Sequence, residues 1–354
     1  MLHPGAWWIW ALGMATAASR TTNPLLLALI IGVVAFVVSA RRTEAPWARG
    51  FSAYIRFGLL IITIRVAFRI ILGGEQGGHR LFTLPEVPLP DVVAGISIGG
   101  PVTLEGVLSA LYDGLRLATL IICVGGANVL ADAKRLLKSV PSALHEVGVA
   151  VTVALSIAPQ LVESGHRIRR ARRLRGEGGY SIRHFLAQVV LPVMTDALDR
   201  SLMLASAMDS RGYGRTTAVA RHRRALTGAL VLAGLSGVAV GTYGLLDSGT
   251  PRALGLPMLL GGLALCGGGL YLGGQRIERT RYRPDPWRWP EWGVTATGVV
   301  VAGVIYFVSS VDPSRLNPSL QPLRWPTLPP AATVAILLGL LPAWIAPPVD
   351  GIGR

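Results

Sequence analysis

Few residues in this chain have the means to do chemistry, and arginine dominates among them. Asp196-x-x-Asp199 is the one candidate pair of carboxylates at helical spacing. Three residues apart, the two share a helix face, where a divalent cation could bridge them to a phosphate. Arg200, beside them, offers a simpler explanation as an ion-pair partner. His3, His79, His145, His166, His184 and His222 show no metal-ligand spacing, and no Ser/His/Asp set is visible. Lys134 and Lys138 are the only lysines and neither follows a glycine. The pattern G-x-x-x-x-G-K-[ST] is therefore absent, and the chain has no phosphate cradle of its own. Cys123 and Cys266 lie in apolar runs and read as small buried hydrophobes. No cofactor and no metal are expected.

A different kind of chemistry repeats. Ala171-Arg172-Arg173-Leu174-Arg175-Gly176 and Ala207-Met208-Asp209-Ser210-Arg211-Gly212 are two copies of Ala-x-x-x-Arg-Gly, and between Arg167 and Arg224 thirteen arginines face four carboxylates. Arginine followed by glycine marks a helix C-terminus: the cation faces the negative end of the helix dipole, and glycine takes the left-handed exit. Alanine one turn earlier leaves room for another surface, and the planar guanidinium fork suits a carboxylate on a partner.

The elements that carry these motifs lie among membrane spans. Hydrophobic residues make up 51% of the chain and charged residues 15%, where a soluble chain carries about a quarter charged. Leu25–Ala40, Ala53–Leu72, Val107–Leu130, Leu226–Leu246, Leu254–Gly274, Val294–Val311 and Ala331–Ile345 have the length and apolarity of spans. Trp7–Ala18 is apolar but lacks a basic region before it and runs directly into the next span, so it does not read as a cleavable signal. The expected fold is an all-α, polytopic integral membrane bundle with a cytoplasmic two-helix segment, located in the plasma membrane. The net charge of +15 sits in short loops between spans, as the positive-inside rule produces, and no aromatic-interleaved patch points to nucleic acid.

Loop charge orients the chain. Arg41, Arg42 and Arg49 place the 41–50 loop inside, and the acidic 73–105 loop goes outside. Lys134, Arg135 and Lys138 return the chain to the inside, where the basic segment also lies. Ala143–Val162 is thus bounded by cytoplasmic charge on both sides and reads as a packed helix or partial re-entry, not as a crossing. The arginine-rich loop Gln275–Pro290 is inside, and a proline-rich loop separates the last two spans outside. Four regions follow: N-terminal spans at 1–162, basic coupling helices at 163–225, a hairpin completing the core at 226–290, and an additional pair of spans at 291–354.

Within the basic segment, Pro159–Arg175 reads as helical, Gly176–Ser181 as a break with Ser181 as N-cap, and 182–211 as an amphipathic helix that Pro192 kinks or splits. Charges at Asp196, Asp199 and Arg200 argue against a lipid crossing. A basic hairpin resting on anionic lipid would explain the charge but not the repeated motif.

The two Arg-Gly motifs, with Ala207-Met208 and Tyr213 around the second and Ile157-Ala-Pro159-Gln-Leu161-Val-Glu163 leading into the first, resemble the transmembrane coupling (T) component of energy-coupling factor importers, the cobalt-transport family. The residue before the motif arginine, usually alanine in that family, is Leu174 in one copy and Ser210 in the other. The resemblance implies a non-catalytic coupler. Two cytoplasmic ATPase subunits would hold Ala171, Arg175, Gly176, Ala207, Arg211 and Gly212, and a small membrane subunit would capture a vitamin, metal ion or similar micronutrient. Two other readings compete. A lipid- or isoprenoid-phosphate-processing enzyme would use Asp196 and Asp199. A solitary secondary transporter would use charges within a span, for which Arg56, Arg65 and Arg69 are the only group.

Overall fold

The computed structural model describes residues 2–42, 50–72, 78–88, 97–138, 144–176, 186–212, 221–246, 251, 254–274 and 286–347. Arg49, Ser181, His184, Tyr213 and the arginines at 276, 279, 281 and 283 lie outside them. The helices are α1 (Pro4–Ser19), α2 (Pro24–Arg41), α3 (Phe51–Leu72), α4 (Leu104–Leu130), α5 (Ala133–Lys138), α6 (His145–Leu174), α7 (Leu191–Ser210), α8 (Arg221–Leu246), α9 (Leu256–Gly274), α10 (Trp289–Val311), α11 (Pro330–Leu338) and α12 (Pro342–Ile345). An antiparallel hairpin of β1 (Arg80–Pro88) and β2 (Ser97–Thr103) joins α3 to α4. By length and composition α2, α4, α6, α8, α9 and α10 qualify as membrane spans, so this is a multi-pass helical membrane protein. The chain forms two compact units, residues 1–136 with 283–354, and residues 137–282.

The first unit is organised around α1. Trp10, Met14, Ala17 and Ala18 of this helix are fully buried. Asn23 ends the turn after it, its Oδ1 accepting from Leu25 N at 3.0 Å, and Pro24 opens α2 where no helical N–H is needed. Helices α1 and α10 run side by side and meet at glycines. A methyl group on Gly13 would stand 2.2 Å from Gly298 O, and one on Gly298 would stand 2.5 Å from Trp10 Cα. In lipid there is no water to expel, so this backbone-on-backbone approach, through dispersion contacts, is what holds such helices together. The last helices are therefore core elements of this unit, not an appendage to it.

Polar groups close both ends of this bundle. At one end His3 N donates to Glu291 Oε1 at 3.3 Å, while Arg41 Nε and Nη1 donate to Ala343 O at 2.9 Å and Pro347 O at 3.1 Å. At the other, Thr21 Oγ1 donates to Leu316 O at 2.6 Å and Asn23 Nδ2 to Thr327 O at 2.7 Å. Asn23 caps the start of α2 and Arg41 ends it, so the Arg41 and Asn23 contacts lie at opposite ends of that helix.

Ala331–Ile345, expected as a single span, is two short helices joined by a turn at Gly339–Leu341. Pro342 has no N–H for a continuous ladder. The carbonyl of Gly339 instead accepts the Trp10 indole N–H at 3.2 Å.

Helix α4 overshoots the bundle. Arg116 Nη2 donates to Ser19 O at the end of α1. The twelve residues of α4 before Arg116 thus extend about 18 Å past that level. They carry the β-hairpin and pair with the last turns of α3. Arg65 lies against Gly114 and Arg69 against Gly106, while Arg56 is in the first turns of α3 and donates to Ser52 O at 3.3 Å. Arg65 and Arg69 thus lie against α4 in the C-terminal part of α3, and Arg56 lies near its start.

In the second unit α8 and α9 form a close hairpin. Methyl groups on Gly234, Gly241 and Gly262 would stand 2.5, 2.4 and 2.5 Å from the backbone of Cys266, Leu259 and Val238. Helix α6 is one continuous rod. The apolar stretch ending at Val162 and the basic stretch after it belong to the same helix, with Pro159 inside it.

Candidate functional site

Both Arg-Gly motifs stand at helix ends. Helix α6 stops at Leu174, with Arg175 N donating to Arg172 O at 3.0 Å and Gly176 N to Arg173 O at 3.2 Å. Helix α7 stops at Ser210, with Arg211 N donating to Met208 O at 3.1 Å and Gly212 N to Asp209 O at 2.9 Å. Gly176 has φ +77° and Gly212 φ +75°. Space would admit a methyl group at either, since nothing lies within 4 Å; the left-handed backbone is what calls for glycine. The sequence repeat is thus a repeat of geometry. Ala171, Arg175, Gly176, Ala207, Arg211 and Gly212 are all exposed. Between them, Leu174 is 84% exposed, an apolar side chain left uncovered beside the first motif.

A polar clasp ties α6 to α7. Ser164 Oγ donates to Asp196 Oδ2 at 2.8 Å, Arg200 Nε donates to Asp196 Oδ1 at 3.1 Å, and Arg200 Nη1 donates to Gln160 Oε1 at 3.1 Å. Arg200 Nη2 lies a further 3.1 Å from Asp196 Oδ2. Arg200 foremost, then Ser164, holds the Asp196 carboxyl below its ordinary value, with Arg167 adding a more distant positive charge. Both Asp196 oxygens are thereby engaged by protein donors. Asp199 is exposed and has no ion-pair or hydrogen-bond partner among the described residues. Asp196 thus has its partners within the protein, which favours the ion-pair reading over a metal-bridged phosphate. Gln160 and Ser164 were not singled out in the sequence. The legible signal was two polar i,i+4 pairs, Gln160/Ser164 and Asp196/Arg200, each on an otherwise apolar helix face.

The same contacts set the direction of the pair. Ser164 meets Asp196, Gln160 meets Arg200, and Val149, Val153 and Ile157 face Ser201, Leu204 and Met208 across a groove of about 310 Å³. Residue numbers fall on α6 as they rise on α7, so the helices cross antiparallel. Their C-terminal Arg-Gly ends consequently point in opposite directions. Arg175 lies eleven residues beyond Ser164 and Arg211 fifteen beyond Asp196, about 17 Å and 22 Å along the two helices.

Helix α7 has more apolar surface than α6 covers. Val193 and Ala197 are half-buried, whereas Leu191 at 64%, Leu198 at 62%, Leu202 at 67% and Met203 at 73% exposure are not. The helix begins through a π-helical turn at Leu186–Val190, which places Pro192 in the first turn of α7. The expected break at this proline is met there by a change of helix type, and no hydrogen bond is lost in mid-helix.

Fold and site together define a polytopic helical membrane protein with an antiparallel helix pair that exposes two Arg-Gly ends. The chain belongs to the cobalt transport protein family CbiQ, whose model matches residues 2–220. Among similar proteins is the energy-coupling factor transporter transmembrane protein EcfT of Bacillus selenitireducens, 28% identical over 209 residues, covering 55% of this chain and 74% of that protein. EcfT of Lactobacillus helveticus is 27% identical over 233 residues, covering 61% and 74%. EcfT of Thermanaerovibrio acidaminovorans is 34% identical over 134 residues, covering 32% and 50%. The family match ends where α8 begins, so α8 to α12 lie beyond it.

Proposed function

We propose that this chain is the non-catalytic transmembrane subunit of an energy-coupling factor importer. It passes conformational change from two ATPase subunits to a separate membrane subunit that captures the substrate, a vitamin, metal ion or similar micronutrient. The observation that carries this reading is the pair of exposed Arg-Gly helix ends pointing in opposite directions from one antiparallel crossing. Two grips of the same backbone geometry facing apart suit two ATPase subunits, one at each end. Ala171, Arg175, Gly176, Ala207, Arg211 and Gly212 form those grips, with each guanidinium paired to a carboxylate in an ATPase groove. The uncovered leucines of α7 suit the capture subunit and the lipid around it.

In this reading residues 163–225 lie in the cytoplasm as the coupling segment, and residues 1–162, 226–290 and 291–354 are membrane regions, the last packed with residues 1–136 in one unit. The relatives named as transmembrane proteins of energy-coupling factor transporters support the same assignment. The test is purification of the tagged chain in mild detergent, followed by identification of the proteins that accompany it. Two ATPase subunits and a small membrane protein are expected. ATP turnover by the chain free of any ATPase subunit would overturn the reading, as would labelling of cysteines at 175 and 211 from the outer side.

A further inference from the structure

The crossing of α6 and α7 is fixed at one level and loose elsewhere. At that level four side chains close a directional network: Gln160 and Ser164 from α6, Asp196 and Arg200 from α7. Ser164 is 3% exposed, so its hydroxyl has little access to water. A hydrogen bond set among charges prefers one geometry and weakens steeply when bent. Toward the N-terminal half of α6 the contact changes character. Val149, Ala150, Val153 and Ile157 face Ser201, Leu204, Ala205 and Met208 around the open groove. Apolar contacts are non-directional and tolerate sliding. On the other side of the clasp Gly165 has only Val193 Cγ2 near its Cβ direction, at 3.9 Å. Two rods pinned at one polar point, with slack on either side, turn about that point like the blades of scissors.

We propose that Gln160, Ser164, Asp196 and Arg200 are this pivot. They are positioning residues that make a displacement at one Arg-Gly end appear at the other and along α6. The proposal rests on the coupling function above and adds residues that touch neither an ATPase nor a substrate. Loss of the clasp leaves both grips intact, so ATPase subunits stay bound and hydrolyse ATP, but the two ends no longer move as one body.

The experiment uses the detergent-purified complex with its accompanying ATPase subunits. Spin labels replace Leu174 and Ser210, which lie about 36 Å apart along the two helices, with Cys123 and Cys266 changed to Ala. MgATP is the probe. With the clasp intact, MgATP should shift the label separation as one narrow population. In Asp196→Asn and Ser164→Ala, hydrolysis should stay within about twofold while the distribution broadens and its shift is lost. The exchange Asp196→Arg with Arg200→Asp, which restores the ion pair in reverse, should recover the narrow, shifting population. An unaltered shift in both single variants overturns the pivot. So does a collapse of hydrolysis and separation together that the exchange fails to repair, because that marks a general folding role. Absence of ATPase subunits from the unmutated complex would instead overturn the coupling function itself.

Discussion

Arg211 and Arg175 share a backbone setting but not a charge setting. Arg169, Arg170, Arg172 and Arg173 surround Arg175, whereas Arg211 follows Met208, Asp209 and Ser210. A neighbouring arginine can substitute for Arg175 in a diffuse attraction; Arg211 has few such neighbours, Arg215 being the nearest in sequence. If Arg211 fills a carboxylate-lined groove, Arg211→Ala should cost about 2–5 kcal/mol of ATPase binding. Arg211→Lys should recover only part of that, because an ammonium lacks the fork. The check is retention of ATPase subunits on an affinity column, with the membrane protein still abundant. An equal loss on Arg221→Ala would show that diffuse charge does the holding. Asp196 carries a pH prediction. Its carboxyl lies below the ordinary 3.8, chiefly through Arg200 and then Ser164. A depressed folded pKa contributes stability that is complete above the ordinary value and lost as pH falls through the folded one. Titration of Asp196 should therefore leave the helix crossing unchanged from pH 9 down to about pH 5. Loosening within that range, followed by the separation of spin labels at positions 174 and 210, would mean that Arg200 does not hold Asp196 ionised.

At the scale of elements, glycine decides which helices touch. The α8–α9 hairpin contains glycines at the contact and others off it. A side chain on Gly241 would meet Leu259 N at 2.4 Å, whereas Gly261 has nothing within 4 Å. Gly241→Leu should separate the hairpin and reduce the folded protein recovered after solubilisation several-fold. Gly261→Leu, on the open face, should be recovered at the unmutated level. Measuring monodisperse protein by size exclusion separates the outcomes; equal recovery of the two would mean that close approach does not stabilise this pair. The helices themselves were legible as apolar runs of spanning length. Which glycines lie at a contact was not, because Gly241 and Gly261 sit in similar apolar sequence and differ only in what the tertiary fold brings against them.

At the scale of the molecule, the C-terminal helices change standing. From sequence they are an additional pair; in the structure α10 lies along α1, Glu291 receives His3 N, and Gly339 O receives the Trp10 indole. Truncation after residue 290 should therefore strip the partner from a helix whose Trp10 and Met14 are fully buried. The expected result is loss of protease resistance in residues 1–136 and poor accumulation in the membrane. A truncate that accumulates normally and resists protease would show that α1 is held by α2 and α4 alone.

The sequence by itself determined the membrane class, most of the apolar helices and the two helix ends, because each depends on local composition or on residues a turn apart. Arginine before glycine specifies a helix C-terminus wherever it falls, and both motifs have that geometry here. Only the tertiary structure decided what depends on residues far apart in the chain. It made α1 a core helix, broke the last span at Gly339, and moved Arg65 and Arg69 beyond the end of α1 through the overshoot of α4. It also used Asp196 to clasp Ser164 and Arg200, where spacing alone allowed a metal-bridging pair with Asp199. A carboxylate's role is set by the donor that reaches it, and Ser164 reaches Asp196 only because α6 and α7 cross antiparallel at that level.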